Sequence, residues 1–247
     1  MRTATIFGKI LCSALHGLLA QLARAPRLHR GGRGSEPLTT HHFEIMNIEL
    51  EAKWLEIDHD EFREKLKAIG AELVAPKRQM IRAVFDFPDK RLSKIRGWVR
   101  VRAEGDRITI SYKQNDTNKL DGTKEVCLVV DNFDSAIELL KSIGLQQKSF
   151  QETKRESWKL DGVEIDLDEW PWLPPFIEIE APNEEKLNNV VAKLGLSFDN
   201  AMYGSADHVY AKYYDVTTDD VNLWPEIKFS ETPEWLKPAK NPKNMIK

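Results

Sequence analysis

The sequence predicts an α+β domain in which eight mostly antiparallel strands form a closed barrel with helices packed outside. Two patterns predict it. Short amphipathic segments that stop at glycine recur along the chain, and the segments between them alternate charged with apolar residues. The 247 residues, 41% of them hydrophobic, suffice for one large domain or two small ones.

Three helices are predicted from apolar residues at helical spacing. Each has a capping residue before it and a glycine after it, which are the usual start and stop signals of a helix. In chain order, the caps and stops are Asp58 or Asp60 with Gly70, Asn132 with Gly144, and Asn183 with Gly195. We expect these helices to cover the apolar faces of the strands.

Period-2 alternation predicts eight strands. They lie near residues 47–57, 79–87, 97–103, 106–113, 123–131, 151–160, 162–169 and 175–181. Asp161-Gly162 is a strong two-residue turn signal between the sixth and seventh strands, and Gly105-Asp106 stands at a similar distance between the third and fourth.

Each predicted strand has one charged and one apolar face, because successive residues point to opposite sides. The charged faces carry Glu49, Glu51 and Lys53, then Arg100 and Arg102, then Lys113, then Glu164, Asp166 and Asp168, and finally Glu178 and Glu180. A polar face in water is the ordinary interpretation of any one such strand. Here acids concentrate on the first and last two strands and bases on the third and fourth. If helices coat the outside, the charged faces point into the barrel.

Such an interior needs a counter-ion. Two like charges about 5 Å apart repel by about 3 kcal/mol at an effective dielectric of about 20. The interior bases are Arg100, Arg102, Lys113 and Arg155. A multiply charged phosphate would satisfy them, and Mg²⁺ or Mn²⁺, which prefer oxygen ligands, would satisfy the clustered carboxylates. A polyphosphate carrying its metal fits both halves of the site.

At the start of this pattern, the segment Glu49-Leu50-Glu51-Ala52-Lys53 resembles the ExExK signature of the CYTH, or triphosphate tunnel metalloenzyme, superfamily. The later elements follow in that family's order: Arg100 and Arg102, Lys113, Glu125, Arg155, Asp166 and Asp168, Glu178 and Glu180, and Lys212. The resemblance covers residues from about 46 to 216 and implies an eight-stranded triphosphate tunnel.

The resemblance also implies roles for these residues. The metal ligands would be Glu49, Glu51, Glu178 and Glu180. The phosphate-binding residues would be Lys53, Arg100, Arg102, Lys113, Arg155 and Lys212. Catalytic or supporting roles would fall to Lys53, Glu125, Asp166 and Asp168. Lys212 lies in a predicted helix, where a solvated lysine is an equal alternative.

Three functions follow as alternatives. The first is a metal-dependent hydrolase of tripolyphosphate, thiamine triphosphate or a nucleoside triphosphate. The second is a class IV adenylyl cyclase that makes cyclic AMP and pyrophosphate from ATP. The third is a non-catalytic polyphosphate-binding module. The sequence contains no Gly-rich phosphate loop, HExxH or GxSxG motif. The oligomeric state, monomer or homodimer, stays open.

Charge and cysteine content limit the partners and the compartment. Residues 1–45 hold six of the 36 basic and two of the 39 acidic residues, so the rest is more acidic than the net −3 of the whole chain. Such a domain is a poor candidate for nucleic-acid binding. Cys12 and Cys127 form no CxxC motif, which favours a reducing, cytoplasmic location.

The two ends of the chain lie outside the predicted domain. Residues 1–45 are expected to be an extension that is a start-site artefact, a targeting segment or a functional tail, and Ile10–Ala20 is too short to span a membrane. Residues 217–247 form a C-terminal tail rich in proline and lysine. Trp224, Trp235 and Leu236 would anchor this tail to the domain; a loose tail is the alternative.

Overall fold

The structure, a computed structural model, describes residues 47–115 and 123–239, with the side chains of residues 47–49 excepted. The predicted extension 1–45 and residues 240–247 lie outside the described residues. The strands are β1 (Asn47–Leu55), β2 (Glu72–Asp86), β3 (Gly97–Ala103), β4 (Ile108–Asn115), β5 (Thr123–Val130), β6 (Gln146–Leu160), β7 (Val163–Glu169), β8 (Phe176–Ala181) and β9 (Glu226–Ile227).

The described helices are short. They are α1 (His59–Ala68), α2 (Phe133–Ser142), α3 (Glu184–Lys193), α4 (Ala206–Tyr213) and α5 (Thr218–Val221), with single 3₁₀ turns at Ser93–Ile95 and Phe198–Asn200. Within the ranges that the structure describes, none of the helices has the length and apolar character needed to cross a membrane.

The three predicted helices are confirmed as α1, α2 and α3. Their N-caps are Asp58, Asn132 and Asn183, whose side-chain oxygens accept backbone N–H groups of the first helical turn. The glycine after each helix has a positive φ, for example 78° at Gly70, in the left-handed region that residues with a Cβ rarely adopt. Local sequence therefore determines where these helices begin and end.

The strands form one curled, mostly antiparallel sheet. Its order is β2-β3-β4-β5-β1-β8-β7-β6-β9, and β2 also pairs with β6. The eight long strands pair antiparallel throughout, whereas the two-residue β9 runs parallel to β6. Each long strand consequently has a strand neighbour on both sides.

Two strands begin earlier than the sequence predicts. β2 starts at Glu72 rather than near residue 79, and β6 starts at Gln146 rather than near 151. The first half of β2 contains Pro76 and is mostly exposed, so it lacks the apolar alternation of a half-buried strand. Pairing with β6 holds it extended, with register shifts on both sides of Ala75.

The helices cover the outward, apolar faces of most strands, as predicted, but Val126 and Leu128 on the outward face of β5 stay exposed. One core cluster joins α1 and α3 to β1, β6, β7 and β8; it includes Trp54, Phe62, Ile165, Ile179 and Leu187. A second joins α2 to β2 and β3 around Phe85, Val101 and Leu140. The opposite, charged faces of the strands are left to line the interior of the curled sheet.

Candidate active site

A cavity of about 720 Å³ lies on the inner side of the sheet. Most of the residues that the sequence assigns to the site line it: Glu51, Lys53, Arg100, Arg102, Lys113, Glu125, Arg155, Asp166, Glu178 and Glu180. The strand order explains this, because β3, β4 and β5 form one wall and β1, β8, β7 and β6 the other. The alternation of each strand turns its charged face toward the same space.

Lys53 is the most enclosed base of the site. Its Nζ lies 3.2 Å from Glu178 Oε2, and it also donates to Glu51 two positions earlier on β1. Burial opposes the charged form, but Glu178 and Glu51 outweigh it and raise the pKa of Lys53. Lys53 therefore stays positively charged and draws the two glutamates together.

Arg155 on β6 donates through its guanidinium fork to two carboxylates of the neighbouring β7. Its Nε and Nη2 donate to the two oxygens of Asp168 at 2.7 and 2.6 Å, and its Nη1 donates to Asp166 at 2.5 Å. Asp168 is only 1% exposed and supports Arg155 from behind the cavity surface. Bidentate pairing of this kind fixes the guanidinium plane.

The bases of the other wall are likewise held by carboxylates. Glu125 lies 3.4 Å from Arg100 and 3.3 Å from Lys113, so one carboxylate positions bases of two strands. Arg102 donates through Nε to Glu104 at 2.7 Å. All three bases line the cavity, and their carboxylate partners hold them in position before any ligand binds.

Two acids on the β7–β8 wall hold protons more tightly than usual. Burial raises the pKa of Glu180 to about 7; Lys113 opposes the shift, and the carboxylates of Glu51 and Glu178 add to it. Burial also raises the pKa of Asp166 to about 6, against the pull of Arg155. By contrast, Lys53 and Arg155 overcome burial at Glu178 and lower its pKa. Neighbouring carboxylates thus differ in charge state near neutral pH.

Comparison with known families identifies this arrangement. The model of the CYTH domain matches residues 47–214, which is more than half of the chain. The chain belongs to the CYTH family. Members of this family bind triphosphates and in general depend on divalent metals.

Solved structures share the CYTH fold with this chain at low identity. A conserved hypothetical protein from Pyrococcus furiosus is 22% identical, with a TM-score of 0.53 over 65% of this chain and 99% of its own. A protein from Pyrococcus horikoshii is 26% identical, with a TM-score of 0.50 over 60% and 91%. A candidate adenylate cyclase from Vibrio parahaemolyticus is 18% identical, with a TM-score of 0.57 over 66% and 98%. No protein of curated function matched the chain.

The donor set suits the divalent metal of a CYTH enzyme. Glu51, Glu178 and Glu180 bring carboxylate oxygens to one side of the cavity. Among the described residues, no three acidic, histidine or cysteine side chains converge closely enough to hold a metal alone. Mg²⁺ commonly takes one or two carboxylates and completes its shell with substrate phosphates and water. Glu180 lies close to other carboxylates, which favours its protonated form. A cation that arrives with a triphosphate would offset this concentration of negative charge.

Besides Asp168, which lies behind the cavity surface, two residues that the sequence assigns to the site are not among its described lining residues. Lys212 lies half-buried on α4 and is not among the lining residues. Glu49 lies on β1 opposite Thr123 in the backbone register, and its side chain is outside the described part of the chain. The roles predicted for both stay predictions.

Sequence reasoning missed several charged residues that line this CYTH cavity, among them Arg82, Arg96, Arg107, Lys148 and Asp207. Arg82 on β2 is buried. Sequence reasoning also missed the buried Glu104 at the end of β3, which is not a lining residue but holds Arg102 in place. The signal for Arg82 was a single charged residue among apolar neighbours in the run Ile81–Phe85. Glu104 follows the predicted third strand and gave no comparable signal.

Proposed function

We propose that this CYTH domain binds a triphosphate with its divalent metal inside a closed barrel and hydrolyses the terminal phosphate. One observation carries the proposal: bases of β1, β3, β4 and β6 and acids of β1, β5, β7 and β8 line a single cavity. A solvated polar surface would not need to gather so many charged side chains around one enclosed space. A polyphosphate with a bound cation matches both walls at once.

The closed barrel is supported by the strand pairings. β2 pairs with β3 over Ile81–Phe85 and with β6 from Glu72 to Asp86, so the first and the eighth strand of the series meet. A closed barrel has no free edge and encloses its interior. An enclosed, low-dielectric interior would strengthen each contact between a base and a phosphate oxygen.

Binding would use the bases that the structure holds in position. We assign Arg100, Arg102, Lys113, Arg155 and Lys53 to the phosphate oxygens, because guanidinium forks and ammonium groups are the protein's donors for that anion. The carboxylates that pair with these bases in the empty protein offset the repulsion between them. Glu125 and Asp168 therefore act as positioning residues.

The metal would be held by acids of the opposite wall. We assign Glu51, Glu178 and Glu180, together with the predicted Glu49, to Mg²⁺ or Mn²⁺. When bound, the metal would polarise the phosphoryl oxygens and offset developing negative charge. The protein's bases would stabilise the same charge from the other side.

The proton of an attacking water would pass to a carboxylate of the site. Asp166, with a pKa of about 6, is ionised at neutral pH and sufficiently basic to accept it. Its bond to Arg155 Nη1 at 2.5 Å fixes the orientation of the carboxylate beside the proposed phosphate site. Asp166 is therefore the proposed general base.

The proposal is tested by incubating the full chain with tripolyphosphate, thiamine triphosphate and ATP, each with Mg²⁺, Mn²⁺ or a chelator. We expect orthophosphate release that requires added metal. Cyclic AMP and pyrophosphate as the only products from ATP would overturn hydrolysis and favour the adenylyl cyclase. Tight tripolyphosphate binding without turnover of any substrate would favour the non-catalytic module instead.

We also propose a cytoplasmic location. Cys127 on β5 is exposed and forms no disulfide among the described residues. Free, exposed thiols of this kind persist in reducing compartments. Fractionation of cells that express the tagged full chain would test the assignment, and recovery in an oxidising compartment would overturn it.

A further inference from the structure

Arg82 lies between the two groups of bases that line the cavity. On β2 it pairs in register with Arg102 of β3 on one side and with Gln151 of β6 on the other. The side chain lines the cavity, yet the residue is only 7% exposed. Arg82 thus joins the bases of β3 to Arg155 of β6 along the wall.

Unlike the neighbouring bases, Arg82 has no carboxylate partner in the part of the chain that the structure describes. Its Nη2 donates to Thr153 Oγ1 at 3.0 Å, and its buried Nε has no hydrogen-bond acceptor within residues 47–115 and 123–239. Among the residues that the structure describes, no carboxylate lies within 4 Å of its guanidinium. Each base assigned to the phosphates has one: Lys53 has Glu51, Arg100 and Lys113 have Glu125, Arg102 has Glu104, and Arg155 has Asp168.

The environment of Arg82 disfavours its charge while the cavity is empty. Burial lowers its pKa well below the usual value, and the nearby cations Arg100, Arg102 and Arg155 lower it further. A guanidinium remains protonated at neutral pH even so. A buried charge without a counter-ion is costly, and a polyanion in the cavity would supply the missing partner.

Trp170 holds the guanidinium in a defined plane. The Cζ atom of Arg82 lies 4.5 Å from the centroid of the Trp170 ring, which is a cation–π contact. Thr153 fixes Nη2, so the orientation is set from two directions. The Nε–H is enclosed and has no acceptor among the described residues, so the guanidinium carries a charge that no described carboxylate balances.

We propose that Arg82 is a substrate-binding residue that donates to a phosphate group of the bound triphosphate. It closes the gap between Arg102 and Arg155, so that donors from three adjacent strands surround the anion. This assignment rests on the proposed function, since it names a further contact of the same substrate. Arg82 is not among the residues that the sequence pattern assigned to the site.

The test compares full-length variants by calorimetric titration with tripolyphosphate. Arg82→Gln and Arg82→Met remove the charge, and Arg82→Lys retains it without the fork. We expect about 10- to 150-fold weaker binding for the uncharged variants, as for the loss of one charge-assisted contact, and a smaller loss for the lysine variant. Arg91→Gln is the matched control, because Arg91 also stacks on an aromatic ring, 4.1 Å from the Phe87 centroid, but does not line the cavity.

Thermal melts of the ligand-free proteins separate a binding role from a structural one. A binding role predicts that Arg82→Gln and Arg82→Met melt no lower than Arg91→Gln, since they remove an unbalanced buried charge. Wild-type affinity in whichever uncharged variant folds would overturn the assignment, most plainly if that variant also melts much lower. If the wild-type protein itself does not bind tripolyphosphate, the proposed function fails together with this inference.

Discussion

Lys53 on β1 lies directly opposite Glu178 on β8, with 3.2 Å between Lys53 Nζ and Glu178 Oε2. Arg155 Nη2 approaches the other oxygen of Glu178 at 3.5 Å. One carboxylate therefore balances two buried cations in the empty protein. Under the proposed function the same oxygens would also bind the metal, so Glu178 couples stability to metal binding.

Replacing Glu178 should affect both properties. Glu178→Gln leaves Lys53 and Arg155 with one fewer counter-charge, so we expect ligand-free stability to fall by about 1 to 3 kcal/mol. We also expect a higher metal concentration for half-maximal phosphate release. Urea unfolding and a metal titration of activity measure the two effects.

Glu138→Gln, which breaks an exposed 2.9 Å pair with Lys141, is the control and should change stability by less than about 0.5 kcal/mol. An unchanged metal requirement in Glu178→Gln would contradict its role as a ligand.

Arg102 should matter for binding more than for stability. Its partner Glu104 also lies 3.2 Å from Arg107 and 3.9 Å from Arg78, so Arg102→Ala leaves this buried acid with two other cations. We expect a small stability change and about 10- to 150-fold weaker tripolyphosphate binding. Arg91→Ala, whose side chain does not line the cavity, should weaken binding much less. If Arg102→Ala unfolds easily yet binds normally, Arg102 is a structural ion-pair partner.

Glu180 should make the metal-free protein less stable as the pH rises. Burial, reinforced by Glu51 and Glu178, raises its folded-state pKa to about 7 from 4.5. The folded state then binds the proton more tightly than the unfolded state, so stability is lost as the pH rises through the interval from about 4.5 to 7. Glu180→Gln should flatten this slope in urea unfolding with chelator at pH 5, 6, 7 and 8. The exposed Glu185→Gln should keep the wild-type slope. Superimposable profiles for wild type and Glu180→Gln would refute the assignment.

Local signals predicted most of the fold. Capping by Asp58, Asn132 and Asn183 and strand alternation are encoded within a few residues, so they can be recognised without the partner strands. The first half of β2 could not be recognised in this way. It contains Pro76 and few buried residues, and only the distant β6 makes it a strand.

The sequence predicted which strand faces carry the charged residues of the site, but it did not predict which of these residues contact one another. Alternation on each strand placed Glu51, Lys53 and Glu178 on inward faces, and the structure brings them together. Which carboxylate pairs with which base depends on register between strands, which no single segment contains. Arg82 was not recognised for the same reason. That it has no partner for Nε among the described residues can be seen only once its three-dimensional neighbours are known.

The N-terminal extension should be dispensable for the chemistry. The predicted strand pattern begins at Met46, and the CYTH match begins at residue 47. A protein of residues 46–247 should therefore show the melting temperature and triphosphatase activity of the full chain. Parallel thermal melts and phosphate-release assays of the two proteins make the comparison. A clear drop in either quantity would assign residues 1–45 a part in the domain.

The segment 217–247 should contribute strongly to stability through Trp224. This side chain is 9% exposed, and its ring lies 5.2 Å from Tyr210 and 6.2 Å from Trp172, centroid to centroid. Tyr210 lines the cavity, so the segment supports the wall of the proposed site. Trp224→Ala should cost about 3 to 5 kcal/mol, the usual loss for a large aromatic residue removed from a core.

Trp235 provides the matched control for this prediction. It belongs to the same segment and contacts Trp224 at 5.1 Å between centroids, but it is 56% exposed. Because much of its surface already faces water, Trp235→Ala should cost less than about 1.5 kcal/mol. Urea unfolding of both variants beside the wild type measures the difference. Equal, small losses would mean that the segment is a loose tail, and a large loss at Trp224 alone would show that it is anchored through that one ring.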